Sequence, residues 1–225
     1  MIIVLYGVKG SGKDTVGNLL SPLGFNKESF AKPLKTMVKE AFAFTDEDLY
    51  GTSSQREHQY TDYPFSGPCL ECGTAELKPH LNGNLQCAGC LAVYPRYVTP
   101  RIALQTLGTQ WGRRLYTNVW IDAAFSRISS ALRQSGPGGR WVITDGRFAN
   151  ELRRCKELGA FAVKLTRGLA GSTDTHASEA EFRSIPDHEF HYVLDNARLS
   201  LDDLPSAVSV LINAATKWKR PVISV

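Results

Sequence analysis

Two sets of residues in this chain have the types and the spacing to do chemistry. The first is Gly7-Val8-Lys9-Gly10-Ser11-Gly12-Lys13-Asp14-Thr15, directly after the apolar run Ile2-Ile3-Val4-Leu5-Tyr6. Glycines let the backbone wrap a phosphate so that its N–H groups and the positive start of a helix converge on it, and Lys13 adds a charge for the β and γ phosphates. A strand before the GxxxxGK spacing and a helix after it are the context in which that pattern is a nucleoside triphosphate site. Where Ser or Thr usually follows the lysine and binds magnesium, this chain has Asp14 and then Thr15. A carboxylate is a hard-oxygen ligand, so Asp14 is expected to hold Mg²⁺ directly or through water, with Thr15 as the alternative.

The second set is Cys69-Leu-Glu-Cys72 and Cys87-Ala-Gly-Cys90, with fourteen residues between the two pairs and an Asn82-Gly83 hairpin signal inside them. Four thiolates in tetrahedral array bind Zn²⁺ and leave no open position, which makes such a site structural. The apolar opening is too short for a signal peptide and runs into glycines, so a reducing, cytoplasmic setting and metal ligation are expected over disulfides. Residues 64–95, rich in Gly and Pro and poor in large apolar side chains, read as a zinc-ribbon insertion whose folding leans on the metal. Cys155 stands apart and reads as a buried helical residue.

These groups need elements to place them. The run 2–6 suits a strand buried on both faces, and a helix is expected from about Gly12 to Leu20. A short strand near 27–30 precedes helical spacing at Leu34, Met37, Val38, Ala41 and Phe42; residues 44–63 give little signal. Thr99-Pro100 reads as an N-cap and first helical residue, and Leu104, Leu107, Trp111 and Leu115 are expected on one inner face. Ile121, Ala124, Phe125, Ile128 and Leu132 mark the next helix, ending at Gly136. Strands are expected at 141–144, 161–165 and 191–194, with a helix over 150–158 and a last helix from Ser200. Trp111, Trp120, Tyr116 and Phe148 could stack on a base, but aromatics at helical spacing read first as core.

Strands alternating with helices over the whole length define an α/β fold: a P-loop three-layer sandwich with a five-stranded parallel sheet. The core then comprises 1–63 and 96–225. Small polar residues at 168–175 suggest a lid near 167–180 that closes over phosphates and excludes water, or a plain surface loop.

Composition bounds the partners. The 225 residues carry 26 Lys+Arg against 22 Asp+Glu, a net charge of only +4, with 43% hydrophobic residues. No run is long enough to span a membrane. Residues 65–95 hold one lysine, Lys78, which is poor provision for gripping a nucleic-acid backbone. A P-loop NTPase with a nucleic-acid-binding ribbon, and a kinase of another phosphorylated small molecule, remain the alternatives to the reading below.

The motifs Ser11-Gly-Lys-Asp-Thr15, Ser29-Phe-Ala-Lys-Pro-Leu34, Thr99-Pro-Arg101 with Leu104-Gln105, Gly108-Thr-Gln-Trp-Gly-Arg113, Asp145-Gly-Arg-Phe-Ala-Asn-Glu151 and His176-Ala-Ser-Glu179 resemble, in order, those of virus-encoded deoxynucleoside monophosphate kinases. The resemblance covers residues 1 to about 180 and skips the cysteine segment. It implies a nucleoside monophosphate kinase-like fold and the reaction ATP + dNMP = ADP + dNDP with Mg²⁺, in host cytoplasm. Phosphoryl transfer needs chiefly positive charge and alignment, so arginines are the residues of interest. Arg101 and Arg113 lie about three turns apart on one expected helix, and Arg147 follows a strand at the end where α/β proteins bind ligands. Lys13, Arg101, Arg113, Arg147 and Arg167 are the implied catalytic set. Arg56, Arg101, Gln105, Asp145 and Arg147 are implied to bind the acceptor, and Asp145 joins Asp14 as a magnesium candidate. For His176 a structural or lid-capping role and a catalytic one stay open, as do monomer and homodimer.

Overall fold

The computed structural model describes residues 1–136, 138–167 and 177–218. The expected lid at 168–175 and His176 lie outside the described residues. In chain order the elements are β1 (Ile2–Tyr6), α1 (Lys13–Leu20), β2 (Phe25–Glu28), α2 (Lys32–Phe42), α3 (Asp46–Tyr50), α4 (Ser53–Arg56), β3 (Leu77–Pro79), β4 (Leu85–Cys87), β5 (Val93–Tyr94), α5 (Pro100–Gln105), a π-helix (Thr106–Arg113), α6 (Val119–Ser135), β6 (Arg140–Gly146), α7 (Ala149–Glu157), β7 (Phe161–Thr166), α8 (Ala177–Ser184), β8 (Tyr192–Asp195) and α9 (Leu204–Lys217). The chain divides into two compact units: Met1–Phe30 with Asn118–Val225, and Ala31–Thr117.

The larger unit is built on a five-stranded sheet of order β2-β6-β1-β7-β8, every pairing parallel. β1 lies in its centre and is buried throughout, which is why it reads as an unbroken apolar run. On one face Ile3, Leu5, Val142, Val163 and Leu165 pack against Val16 and Leu20 of α1 and Val208, Leu211 and Ala215 of α9. Tyr6 alternates to the other face, beside Cys155 of α7. Arg154 of α7 reaches Asp122 of α6 at 2.9 Å, and Arg127 of α6 reaches Glu28 of β2 at 3.1 Å. Helices on both faces of a parallel sheet make the three-layer sandwich.

β2 starts at Phe25, earlier than expected, and not at Lys27. It is an edge strand whose Asn26 and Lys27 are exposed, so polar side chains hid half of it. α9 starts at Leu204, later than expected. Ser200 and Asp203 cap one another reciprocally, with Asp203 N–H to Ser200 Oγ at 3.2 Å and Ser200 N–H to Asp203 Oδ2 at 3.3 Å, but that pair closes a separate turn. Pro205, which has no N–H, then opens the helix proper.

In the smaller unit Val38, Phe44, Leu49 and Ala103 form a core with Leu104 and Leu107 at its margin. The expected apolar stripe does not continue along that helix. From Thr106 to Arg113 the backbone is a π-helix, whose i→i+5 bonds widen each turn and move the phase of every later residue. Trp111 is therefore 47% and Leu115 71% exposed, while Gly108 and Gly112 face inward. A Cβ at Gly108 would stand 3.3 Å from Leu34 Cδ1, so the glycine permits close approach. Tyr116 is likewise exposed, whereas Trp120 is core as expected.

Strands β3, β4 and β5 make a small antiparallel sheet. Its first hairpin turns on Asn82 (φ 58°) and Gly83 (φ 75°), both in the left-handed region that an Asn-Gly turn requires. Cys69, Cys87 and Tyr94 are its buried centre, with Phe65 stacked on Tyr94 at 5.3 Å.

Candidate active site

The loop between β1 and α1 is shaped as a phosphate cradle. Gly10 (φ 78°) and Gly12 (φ 93°) take left-handed conformations that other residues adopt only with strain. Lys13, the first residue of α1, is 8% exposed and folds back over the loop. Its ammonium donates to the Gly7 carbonyl at 2.5 Å and the Val8 carbonyl at 2.8 Å, and lies 3.4 Å from Ser11 Oγ. Asp14 and Thr15 are exposed in the first helical turn.

Further groups meet this loop from the ends of neighbouring strands. Arg167 follows β7 and donates from Nη1 to the Gly10 carbonyl at 3.2 Å. Asn196 follows β8 and donates from Nδ2 to the Ser11 carbonyl at 3.1 Å. Asn196 was not among the sequence-derived candidates. Its contact is made 185 residues along the chain, and a lone Asn after a strand carries no motif.

Asp145 lies next to last in β6, one residue inside the strand end where it was expected, and its carboxylate is engaged within the protein. Oδ2 accepts from Ser29 Oγ and Oδ1 from the Phe30 N–H, both at 2.9 Å. Arg147 follows it, and the backbone N–H groups of Arg147 and Phe148 both donate to buried Glu151 Oε2, at 2.8 and 3.1 Å. That carboxylate caps α7 and fixes the chain direction from which the Arg147 side chain leaves.

Arg56, Arg101, Gln105 and Arg113 belong to the smaller unit. Arg101 is ion-paired through Nε with Glu57, a half-exposed carboxylate. Arg56 Nε points to the Thr52 carbonyl at 3.4 Å. Gln105 closes α5, one turn on from Arg101, whereas Arg113 closes the π-helix, so Arg101 and Arg113 are not on one regular α-helix, contrary to expectation.

The four cysteines are free thiols gathered in one place, their sulfurs all within 4.8 Å of one another. Cys69 and Cys90 sulfurs stand 3.5 Å apart, as do those of Cys72 and Cys87. Tetrahedral zinc with bonds of about 2.3 Å spaces its sulfurs by roughly 3.8 Å, so the cluster has the size and donor set for that ion. The N–H of Gly89 lies 3.2 Å from Cys87 Sγ and the Tyr94 hydroxyl 3.2 Å from Cys69 Sγ. Burial opposes ionisation of Cys69, but the Tyr94 hydroxyl and the N–H groups of Cys72 and Glu71 outweigh it and lower its pKa. Thiolate is the ligand form.

A glycine-rich loop cradled between the central strand and first helix of a parallel sheet, with its lysine on the loop carbonyls, defines a P-loop nucleotide-binding protein. No family model matches the chain. Over 223 residues it is 33% identical to the Acanthamoeba polyphaga mimivirus protein named "Putative deoxynucleotide monophosphate kinase", covering 96% of this chain and 98% of that one. It is 26% identical over 183 residues to the deoxynucleoside-5′-monophosphate kinase of Escherichia phage T5, covering 67% and 70%. A dephospho-CoA kinase from Campylobacter jejuni superposes with a TM-score of 0.45 at 13% identity, over 94% of this chain and 95% of that one. The chain belongs to the deoxynucleoside monophosphate kinase family of phosphotransferases. Among the described residues no helix is long and apolar enough to cross a membrane.

Proposed function

We propose that the protein transfers the γ-phosphoryl group of ATP to the 5′-phosphate of a deoxynucleoside monophosphate, giving ADP and the diphosphate. The likeness to the mimivirus protein over nearly the full length of both chains is the observation that carries this reading. An oxygen of the acceptor phosphate attacks the γ-phosphorus while the bond to the β–γ bridging oxygen breaks. The acceptor is already ionised at neutral pH, so positioning and charge compensation do the work and no side-chain base is required.

Residues 7–15 hold the donor phosphates. Lys13 exchanges the Gly7 and Val8 carbonyls for β and γ oxygens, trading neutral acceptors for anionic ones. Asp14, with Asp145 acting through water, would hold Mg²⁺, which screens phosphate charge and orients the γ group when bound. Arg101, Arg113, Arg147 and Arg167 compensate charge on the transferring group. Arg167 is already on the loop, at the Gly10 carbonyl. Arg56, Arg101, Gln105, Asp145 and Arg147 take the acceptor, Arg101 exchanging Glu57 for phosphate. Residues 64–95 form an insertion stapled by a structural zinc on Cys69, Cys72, Cys87 and Cys90, within a kinase core of 1–63 and 96–225 whose lid is near 167–180. ATP and dNMPs are cytoplasmic solutes, which supports action in the host cytoplasm.

The test is ATP-to-ADP conversion that depends on an added dNMP. In it Lys13→Ala should lower kcat by about a hundredfold or more while the circular dichroism spectrum stays that of the parent. Turnover within a few fold of the parent would remove Lys13 from the site.

A further inference from the structure

A loop that cradles phosphate turns its N–H groups inward only if its carbonyls are turned outward and given partners of their own. Here those partners come partly from outside the loop motif. The Gly7 and Val8 carbonyls are taken by Lys13, the Gly10 carbonyl by Arg167 and the Ser11 carbonyl by Asn196.

These three partners differ in kind. Lys13 and Arg167 are cations, and an arriving triphosphate offers them stronger, anionic acceptors. Asn196 is neutral and has no such reason to leave. It is also fixed at its root: its own N–H donates to the Thr166 carbonyl at 2.7 Å, so its backbone joins the end of β7 to the end of β8. Its amide nitrogen lies 2.5 Å from where a Cβ on Gly12 would stand, filling the space the missing side chain leaves.

The Ser11 carbonyl and the Gly12 N–H belong to one planar trans peptide unit and point in opposite directions. Holding the carbonyl on Asn196 therefore aims the Gly12 N–H away from Asn196, as a phosphate donor. Gly12 at φ 93° has little steric restraint of its own, so without the amide that peptide plane is free to rotate.

We infer that Asn196 is a positioning residue for the donor nucleotide, which locks the Ser11–Gly12 peptide in its phosphate-binding orientation before and after Lys13 and Arg167 move to the phosphates. It touches the loop backbone and not the reacting atoms. The inference rests on the P-loop being the donor site and is independent of which acceptor is used.

The experiment compares Asn196→Ala and Asn196→Asp with the parent by calorimetric titration of Mg·ADP and of a non-hydrolysable ATP analogue, alongside both KM values and thermal melts. Asn196→Ala should weaken donor binding about tenfold, with the acceptor KM within twofold and the melting temperature little changed. Asn196→Asp keeps the size but sets a carboxylate without a proton against the Ser11 carbonyl, so it should weaken the donor further; it also serves if the alanine variant fails to fold. Donor affinity within twofold of the parent in both variants would overturn the inference. So would losses of donor and acceptor affinity in equal measure that track a falling melting temperature, because a merely structural residue behaves that way. If the parent binds ADP but phosphorylates no dNMP, the acceptor assignment fails while the Asn196 comparison still reads out.

Discussion

The Asp145 carboxylate accepts the Ser29 hydroxyl at 2.9 Å, joining the end of β6 to the residue that follows β2 across 116 positions of chain. The next N–H, of Phe30, occupies the other oxygen at 2.9 Å. The strand-end aspartate thus organises its surroundings as well as facing the end of the sheet where ligands bind. Asp145→Asn retains one acceptor oxygen and turns the other position into a donor, facing either a hydroxyl that can reverse or an N–H that cannot. The variant should lose about 1–2 kcal/mol of stability in urea unfolding, because a charge-assisted bond is replaced by a strained or missing one. Turnover should fall with it. An unchanged unfolding midpoint would show that the two contacts contribute nothing.

Zinc carries the clearest stoichiometric prediction. Elemental analysis of the purified protein should find about one zinc per chain. Cys87→Ser, which alters a buried ligand at the centre of the small sheet, should abolish the metal and open residues 64–95 to limited proteolysis. A metal-free protein with the same protease resistance would contradict the four-thiolate assignment.

His191 makes stability depend on pH in a defined direction. Its Nδ1 accepts from the Ala162 N–H at 2.9 Å, its ring stacks on Phe161 and lies against Trp218, and the bond requires the neutral ring. Burial first, and then the charge of Lys156, hold its pKa below the ordinary value. Near neutrality the unfolded chain therefore binds more protons than the folded one, and stability rises with pH there. The contribution is fully present above an unfolded pKa of about 6.5 and is lost as pH falls below it. Melting temperatures measured from pH 7.5 to 5 should fall, and His191→Gln should flatten the part of that slope near pH 6. Parallel curves for the two proteins would exclude His191 as the cause.

What could be read in advance depended on how local the signal was. Residues 2–13 declared themselves because strand, loop and helix are consecutive and each has its own sequence pattern. The four-cysteine cluster and the hairpin beside it did so through Cys spacing and Asn82-Gly83. By contrast, β2 was displaced because Asn26 and Lys27 lie exposed on an edge strand. The inward face of Trp111 and Leu115 was misplaced because a helical spacing count assumes i→i+4 bonds, and nothing in Thr106-Leu-Gly-Thr-Gln announces i→i+5. Asn196 was illegible for another reason: its importance lies wholly in a carbonyl at Ser11, and one asparagine among polar neighbours has no period and no spacing. Arg101 and Arg167 were picked out, but their partners Glu57 and the Gly10 carbonyl emerged only with the fold.

Whether ATP is consumed for the sake of a deoxynucleotide can be measured directly. ADP release with ATP and Mg²⁺ is followed for each dNMP in turn, and against ATP alone, with the nucleotide product separated by chromatography. Little release is expected from ATP alone, and with at least one dNMP a rate that saturates with its concentration and yields the matching dNDP in a one-to-one ratio with ADP. ATP consumption that is indifferent to every dNMP, or that rises only when nucleic acid is added, would contradict the proposed function.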